Sequence, residues 1–190
     1  MRRKIIVSLA ALVAVLMTAA VATAASVHLK GGANAKPSFT DNGLTLTASG
    51  ALSGLGNGDI AVVLTATANT TATCTNPAGK TQPPGQNPAP TTVKGSQFIP
   101  SSSIDKNGNV PFGVTTDAPT TPIAGAPECP NPQWTETITD LAFTSATIQV
   151  YQPADPSGTG GTLVLTVTCT FSSPTSNGPV PSGNVTCTQS

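Results

Sequence analysis

Leu163-Val164-Leu165-Thr166-Val167-Thr168-Cys169-Thr170-Phe171 decides how this chain folds. Leu163, Leu165, Val167, Cys169 and Phe171 share one parity; Thr166, Thr168 and Thr170 share the other. A period of two is that of a β-strand with one face buried and one in water. Threonine suits the wet face because its branched Cβ fits the pleat. The same alternation places Leu44, Leu46 and Ala48 opposite Thr45, Thr47 and Ser49. It also places Ile60, Val62, Leu64 and Ala66 opposite Ala61, Val63, Thr65 and Thr67.

Weaker strand patterns cover residues 70–75, 93–99, 110–115, 134–139, 142–152 and 183–188. Turn chemistry separates them at 41–43, 54–59, 106–109 and 155–161, where Asn and Gly supply the positive φ of tight hairpins. No ten-residue helical period occurs after residue 25. The expected fold is therefore all-β: an antiparallel β-sandwich of immunoglobulin-like, Greek-key type.

The first two dozen residues belong to a different object. Arg2-Arg3-Lys4, an apolar run over 5–21 and Ala22-Thr23-Ala24 form the basic, hydrophobic and small-x-small sections of a secretory signal peptide. The run approaches the ~20 residues of a bilayer span, but its second half is Ala and Thr, and Ala22-x-Ala24 is a good cleavage site. No Cys follows to take a lipid. The expected plan is a signal helix over 1–24 cut between Ala24 and Ala25, a flexible lead-in over 25–38 and one domain over 39–190. The mature product is expected to be secreted and extracellular, and free of the membrane.

Removing Arg2, Arg3 and Lys4 leaves five lysines against eight carboxylates, a net charge of −3 with no arginine. Such a chain gains little by displacing counterions from a phosphate backbone, so nucleic acid is excluded as a partner. Charged residues make up 8% of the sequence, against roughly 25% in ordinary domains. Apolar β-branched runs separate this composition from disorder. The expected surface is neutral and rich in hydroxyls.

Cys74, Cys129, Cys169 and Cys187 form an even set in an exported chain, which points to two disulfides with three possible pairings. Two proline-rich stretches, 76–92 and 117–132, cannot be strands, because proline removes ladder donors. Cys74 opens the first and Cys129 lies late in the second, so a bond between them would pin both loops. Cys169 and Cys187 each fall in phase with apolar neighbours across a Pro/Gly/Ser/Asn segment, as in a hairpin. The expected pairing is Cys74–Cys129 and Cys169–Cys187, contributing about 4 and about 3 kcal/mol on loop-entropy grounds. Zinc would require ligands at close spacing, which these cysteines and the one histidine lack. Neither a metal nor a cofactor is expected.

Chemistry has few candidates. His28 lies beside Gly31-Gly32 with nothing to orient it as a base. Trp134, Glu136, Ile138 and Asp140 share parity, and a carboxylate pair beside an aromatic is the equipment of a glycosidase. The plainer account packs Trp134 in the core or at a strand end, with the acids at the rim. Asp105-Lys106-Asn107-Gly108-Asn109 has oxygen donors at alternate positions but departs from the EF-hand pattern at its sixth and twelfth places, and a hairpin turn accounts for it. Asn69-Thr70-Thr71 and Asn184-Val185-Thr186 match glycosylation triplets and carry no assigned role.

Cys74-Thr75-Asn76-Pro77-Ala78-Gly79, Pro84-Gly85-Gln86-Asn87-Pro88 and Gly95-Ser96-Gln97 together resemble a segment of small secreted proteins of unassigned function from high-GC Gram-positive bacteria. Leu52-Ser53-Gly54-Leu55-Gly56-Asn57 is similar in the same way. The resemblance implies an exported β-rich domain and carries no catalytic residues. The expected function is a secreted, non-catalytic sandwich with a structural or binding role, its partner class a cell-surface or extracellular polymer. The alternative is a small polysaccharide or cell-wall hydrolase using Glu136 and Asp140. A polymerising surface component is a third reading, since sheet edges with few charges pair readily.

Overall fold

Strands with one apolar face need a second sheet laid against them, and the chain supplies two. The computed structural model describes residues 26–83, 88–155 and 160–190; the expected signal segment and the Ala24/Ala25 junction lie outside them. In chain order the strands are β1 (His28–Leu29), β2 (Ser38–Asp41), β3 (Leu46–Ser53), β4 (Ile60–Thr75), β5 (Thr81–Gln82) and β6 (Thr91–Ile99). There follow β7 (Val110–Thr115), β8 (Ile123–Ala124), β9 (Thr135–Gln152), β10 (Thr162–Phe171), β11 (Gly178–Pro179) and β12 (Val185–Gln189). Among the described residues no helix is long and apolar enough to cross a membrane.

In the first sheet β3 pairs with β7 on one side and with β1 and β2 on the other, and β11 borders β2. The second runs β12-β10-β9-β4-β6, with β5 and β8 as two-residue flanks. The chain passes between sheets from β3 to β4, from β6 to β7 and on the way from β7 to β9. That gives β2-β3-β7 facing β10-β9-β4-β6, the expected Greek-key order of an immunoglobulin-like antiparallel sandwich, with β12 added at an edge. Phe39, Leu46 and Leu52 of the first sheet share one core with Leu64, Phe143, Ile148 and Val167 of the second, all fully buried. Phe39 and Phe171 meet edge to face at 5.2 Å, an arrangement worth about 1 kcal/mol beyond its buried area.

β4 keeps one parity inside from Ile60 through Cys74, whereas β9 changes parity twice. Residues 61–75 of β4 face residues 135–151 of β9, with register shifts between Thr67/Ala68 and Thr71/Ala72 that leave Thr144 and Thr139 as extra residues. These are β-bulges, which put two residues opposite one and accentuate the twist. Each extra threonine turns its hydroxyl back across the ladder: Thr144 donates to the Thr67 carbonyl and Thr139 to the Thr71 carbonyl, both at 3.2 Å. The buried set along β9 is consequently Glu136 and Ile138, then Leu141 and Phe143, then Ala146, Ile148 and Val150. A register shift at Val164 in β10 acts in the same way on Leu163. That residue was expected inside and is 45% exposed, whereas Leu165, Val167, Cys169 and Phe171 point inward.

The β4–β9 ladder outruns the sandwich. β6 follows β4 only to Ala68, and β10 follows β9 only to Ser145. The remainder, 69–75 with 135–142, forms a two-stranded arm. Cys74–Cys129 ties its β4 strand to the second proline-rich stretch with Cα atoms 5.7 Å apart, and with Ala126 and Trp134 makes a small core separate from the main one. Cys169–Cys187 joins directly opposed residues of β10 and β12. The segment between those strands does not form the simple hairpin expected of it. It bridges the two sheets: Thr175 accepts from the Phe143 N–H of β9 at 2.8 Å and donates to buried Asp41 of β2, and β11 then pairs with β2.

The lead-in over 25–38 is a correction. His28–Leu29 pairs with Leu52–Ser53, Leu29 is buried, and Ser38 already belongs to β2. The clamp is Gln189 of the last strand. Its Oε1 accepts from the Leu29 N–H at 2.9 Å, and its Nε2 donates to the carbonyls of Gly32, Ala33 and Ala35 at 3.1–3.3 Å. Ordered structure therefore begins about ten residues before position 39.

One edge of the sandwich is closed by backbone contact between the sheets. Asp117 N–H donates to the Lys94 carbonyl at 2.8 Å, and a methyl group on Gly95 would sit 1.9 Å from the Thr115 oxygen. Overpacking of that kind costs about 3 kcal/mol. Gly95→Ala is expected to lower the urea midpoint accordingly, while Gly113→Ala, which meets open space, stays within about 0.5 kcal/mol of the parent. Equal midpoints for the two variants would contradict this closure.

Candidate functional site

The chemically unusual group is Glu136, the second residue of β9. It stands opposite Cys74 of β4 and Ile123 of β8. Alternation turns it to the inner side with Ile138, and it is 3% exposed. Among the described residues no hydrogen bond reaches its carboxylate. Burial pushes its pKa up, and the nearby Glu128 carboxylate pushes in the same direction. Both effects follow from placing a charge where water is scarce and a like charge is close.

Glu128 arrives through the disulfide. It directly precedes Cys129, which is bonded to Cys74, and Cys74 is the ladder partner of Glu136. The two acids line a cavity of about 130 Å³ together with Pro88, Pro90, Ile123 and Ile138. Thr70 and Thr91 line it too, with their hydroxyls paired to each other at 2.6 Å. Both proline-rich stretches thus contribute to one site. Sequence reasoning missed Glu128, although the expected Cys74–Cys129 bond and antiparallel pairing near residue 136 together place it beside Glu136.

The shared face expected of Trp134, Glu136, Ile138 and Asp140 is only partly formed. Glu136 and Ile138 share it, but the bulge at Thr139 takes Asp140 out of phase and leaves it half-exposed. The next residue, Leu141, is hydrogen-bonded to the Gly43 turn at 2.9 Å. Four residue steps along the strand also put the acids roughly 13 Å of chain apart. The structure does not assemble the Glu136–Asp140 pair. Trp134 is at a strand end, half-buried against the arm disulfide. The rim position expected for both acids holds for Asp140 and is corrected for Glu136.

The other candidates resolve simply. His28 donates from Nδ1 to the Ser26 carbonyl at 2.7 Å. Asp105 is absorbed by its own turn: it accepts from the N–H groups of Asn107 and Asn109 at 2.8 Å, and from the Asn109 side chain. The Asn109 backbone bond is the main cause holding its carboxyl below the usual range. Gly108, at φ +72°, closes the turn. This turn, the 54–57 loop and Ser101–Ser102 surround an open cleft of about 600 Å³. Asp59 beside it is likewise committed, accepting from the Ser101 N–H at 2.7 Å. All four cysteines are in the two disulfides. Among the described residues no three of His, Cys, Asp and Glu converge as a metal site would require.

No family model, curated protein or solved structure matches this chain.

Glu136 makes stability depend on pH in a direction opposite to most carboxylates. The folded state holds its proton to higher pH than the unfolded chain does. Stability is therefore lost as pH rises from about the ordinary glutamate value of 4.5 through the elevated folded one. Glu136→Gln is expected to be more stable than the parent at pH 8, with the gap closing by pH 3.5 in urea titrations. Parallel pH profiles for the two proteins would contradict the burial of this charge.

Proposed function

We propose that the chain is an exported, non-catalytic binding module whose contact surface is the arm formed by the outer halves of β4 and β9. The arm itself carries this reading: a ladder longer than its sandwich, with residues 88–91 gathered at it and the second proline-rich stretch tied to it by Cys74–Cys129. Loops held on a rigid scaffold are where modules of this architecture bind. Loops ordered in advance also lose less entropy on association. Ile123, 36% exposed on the arm, gives this surface an apolar contact. The low charge and the abundant threonine suit an extracellular or cell-surface polymer of low charge density. Export rests on the basic, apolar and Ala-x-Ala leader. Two disulfides are what an oxidising compartment permits.

Co-sedimentation of the oxidised protein with insoluble cell-wall and extracellular polysaccharide tests the reading. Retention on at least one polymer is expected, with at least a tenfold loss for Cys74→Ser/Cys129→Ser. Retention on none of them would sink it.

A further inference from the structure

A carboxylate drawn partly out of bulk water loses hydration that a partner of opposite charge can replace. Glu136 is 3% exposed, no hydrogen bond reaches it among the described residues, and its carboxylate is open to a cavity rather than sealed in packed core. We propose that this cavity receives a primary ammonium on a short alkyl chain, as carried by a lysine-like unit of the extracellular partner. The site rests on the binding-module reading and gives that reading its ligand chemistry.

Shape and charge both point this way. Pro88, Pro90, Ile123 and Ile138 offer apolar walls to a methylene stem, while Glu128 and Glu136 offer carboxylates to its tip. Among the described lining residues these two are the ionisable ones, so the lining brings negative charge and no cation to balance it. An ammonium is a compact point charge with three donors on a flexible four-carbon stem, which matches a small cavity of about 130 Å³. A guanidinium is planar and wider, and its fork is suited to bidentate pairing along an open carboxylate. Calcium takes six to eight oxygens. Here two carboxylates are offered, and the Thr70 and Thr91 hydroxyls already hold each other. An ammonium between the acids removes their mutual repulsion and favours the ionised form of Glu136. Affinity therefore rises with pH.

The test is a titration of the full oxidised chain with n-butylammonium chloride, followed by amide NMR. Saturable shifts are expected at Thr70, Thr91, Ile123 and Glu136, stronger at pH 7.5 than at pH 5 and absent with tetramethylammonium. Glu136→Gln should weaken binding at least tenfold. Glu128→Gln, at a half-buried loop position, should weaken it several-fold and serves as the second variant. Absence of saturable shifts, unchanged affinity in both variants, or displacement by calcium chloride at lower concentration would overturn the proposal. Polymer retention that survives Glu136→Gln and saturating butylammonium would overturn the ammonium site alone. Butylammonium binding in a protein retained by no polymer would support the site and count against the module.

Discussion

The ladder between β4 and β9 is the constraint on which the rest of this molecule depends. Its inner half is the centre of the second sheet, flanked by β6 and β10, and its outer half is the arm. One strand alternates without a break from Val62 to Cys74 while the other adds two residues to follow it. A bulge leaves ladder groups without their usual partners. Thr139 and Thr144 answer this locally by donating to the carbonyls of Thr71 and Thr67. The threonine richness of the chain thus has two physical uses: wet-face strand residues, and side chains short enough to bond a carbonyl across the ladder.

Ala72, Ile138 and Leu141 tie the inner part of the arm to the main core, and its tip has only a small core of Cys74, Ala126 and Cys129 with Trp134 against them. Cross-linking replaces what burial cannot supply. The Cys74–Cys129 bond closes a 55-residue separation, a constraint worth about 4 kcal/mol on the loop-entropy account. The same bond carries Glu128 to Glu136. A structural staple and an unusual pair of acids are therefore one arrangement, which is why the candidate site lies on the arm rather than at an end of the sandwich.

Much of the architecture was legible because alternation is a local signal. Leu46 and Ala48 in β3, Ile60 to Ala66 in β4 and Leu165 to Phe171 in β10 are buried as their parity implies. The disulfides were legible from proline-rich loops and strand phase. What failed depended on distant partners. Parity cannot be carried through a bulge, so Asp140 was grouped with Glu136 and Leu163 with the core. A trace of the first shift was present in the sequence, since Leu141 and Phe143 are odd while Ile148 and Val150 are even. The lead-in looked loose because its Gly and Ala residues are ordered by Gln189, 160 positions beyond Leu29. Glu136 read as a rim residue because nothing in its neighbours announces β8 and the second proline-rich stretch closing over it.

Hydrogen exchange along β4 and β9 in the oxidised protein tests the continuity of the ladder most directly. The account predicts that ladder amides of residues 70–75 and 135–141 are protected through both bulges, far above free-peptide rates, as those of 61–68 are. It also predicts that removing Cys74–Cys129 accelerates the outer half at least tenfold and leaves the inner half unchanged. Free-peptide exchange over 70–75 in the oxidised protein, with 61–68 protected, would contradict it: the ladder would end where the sandwich ends.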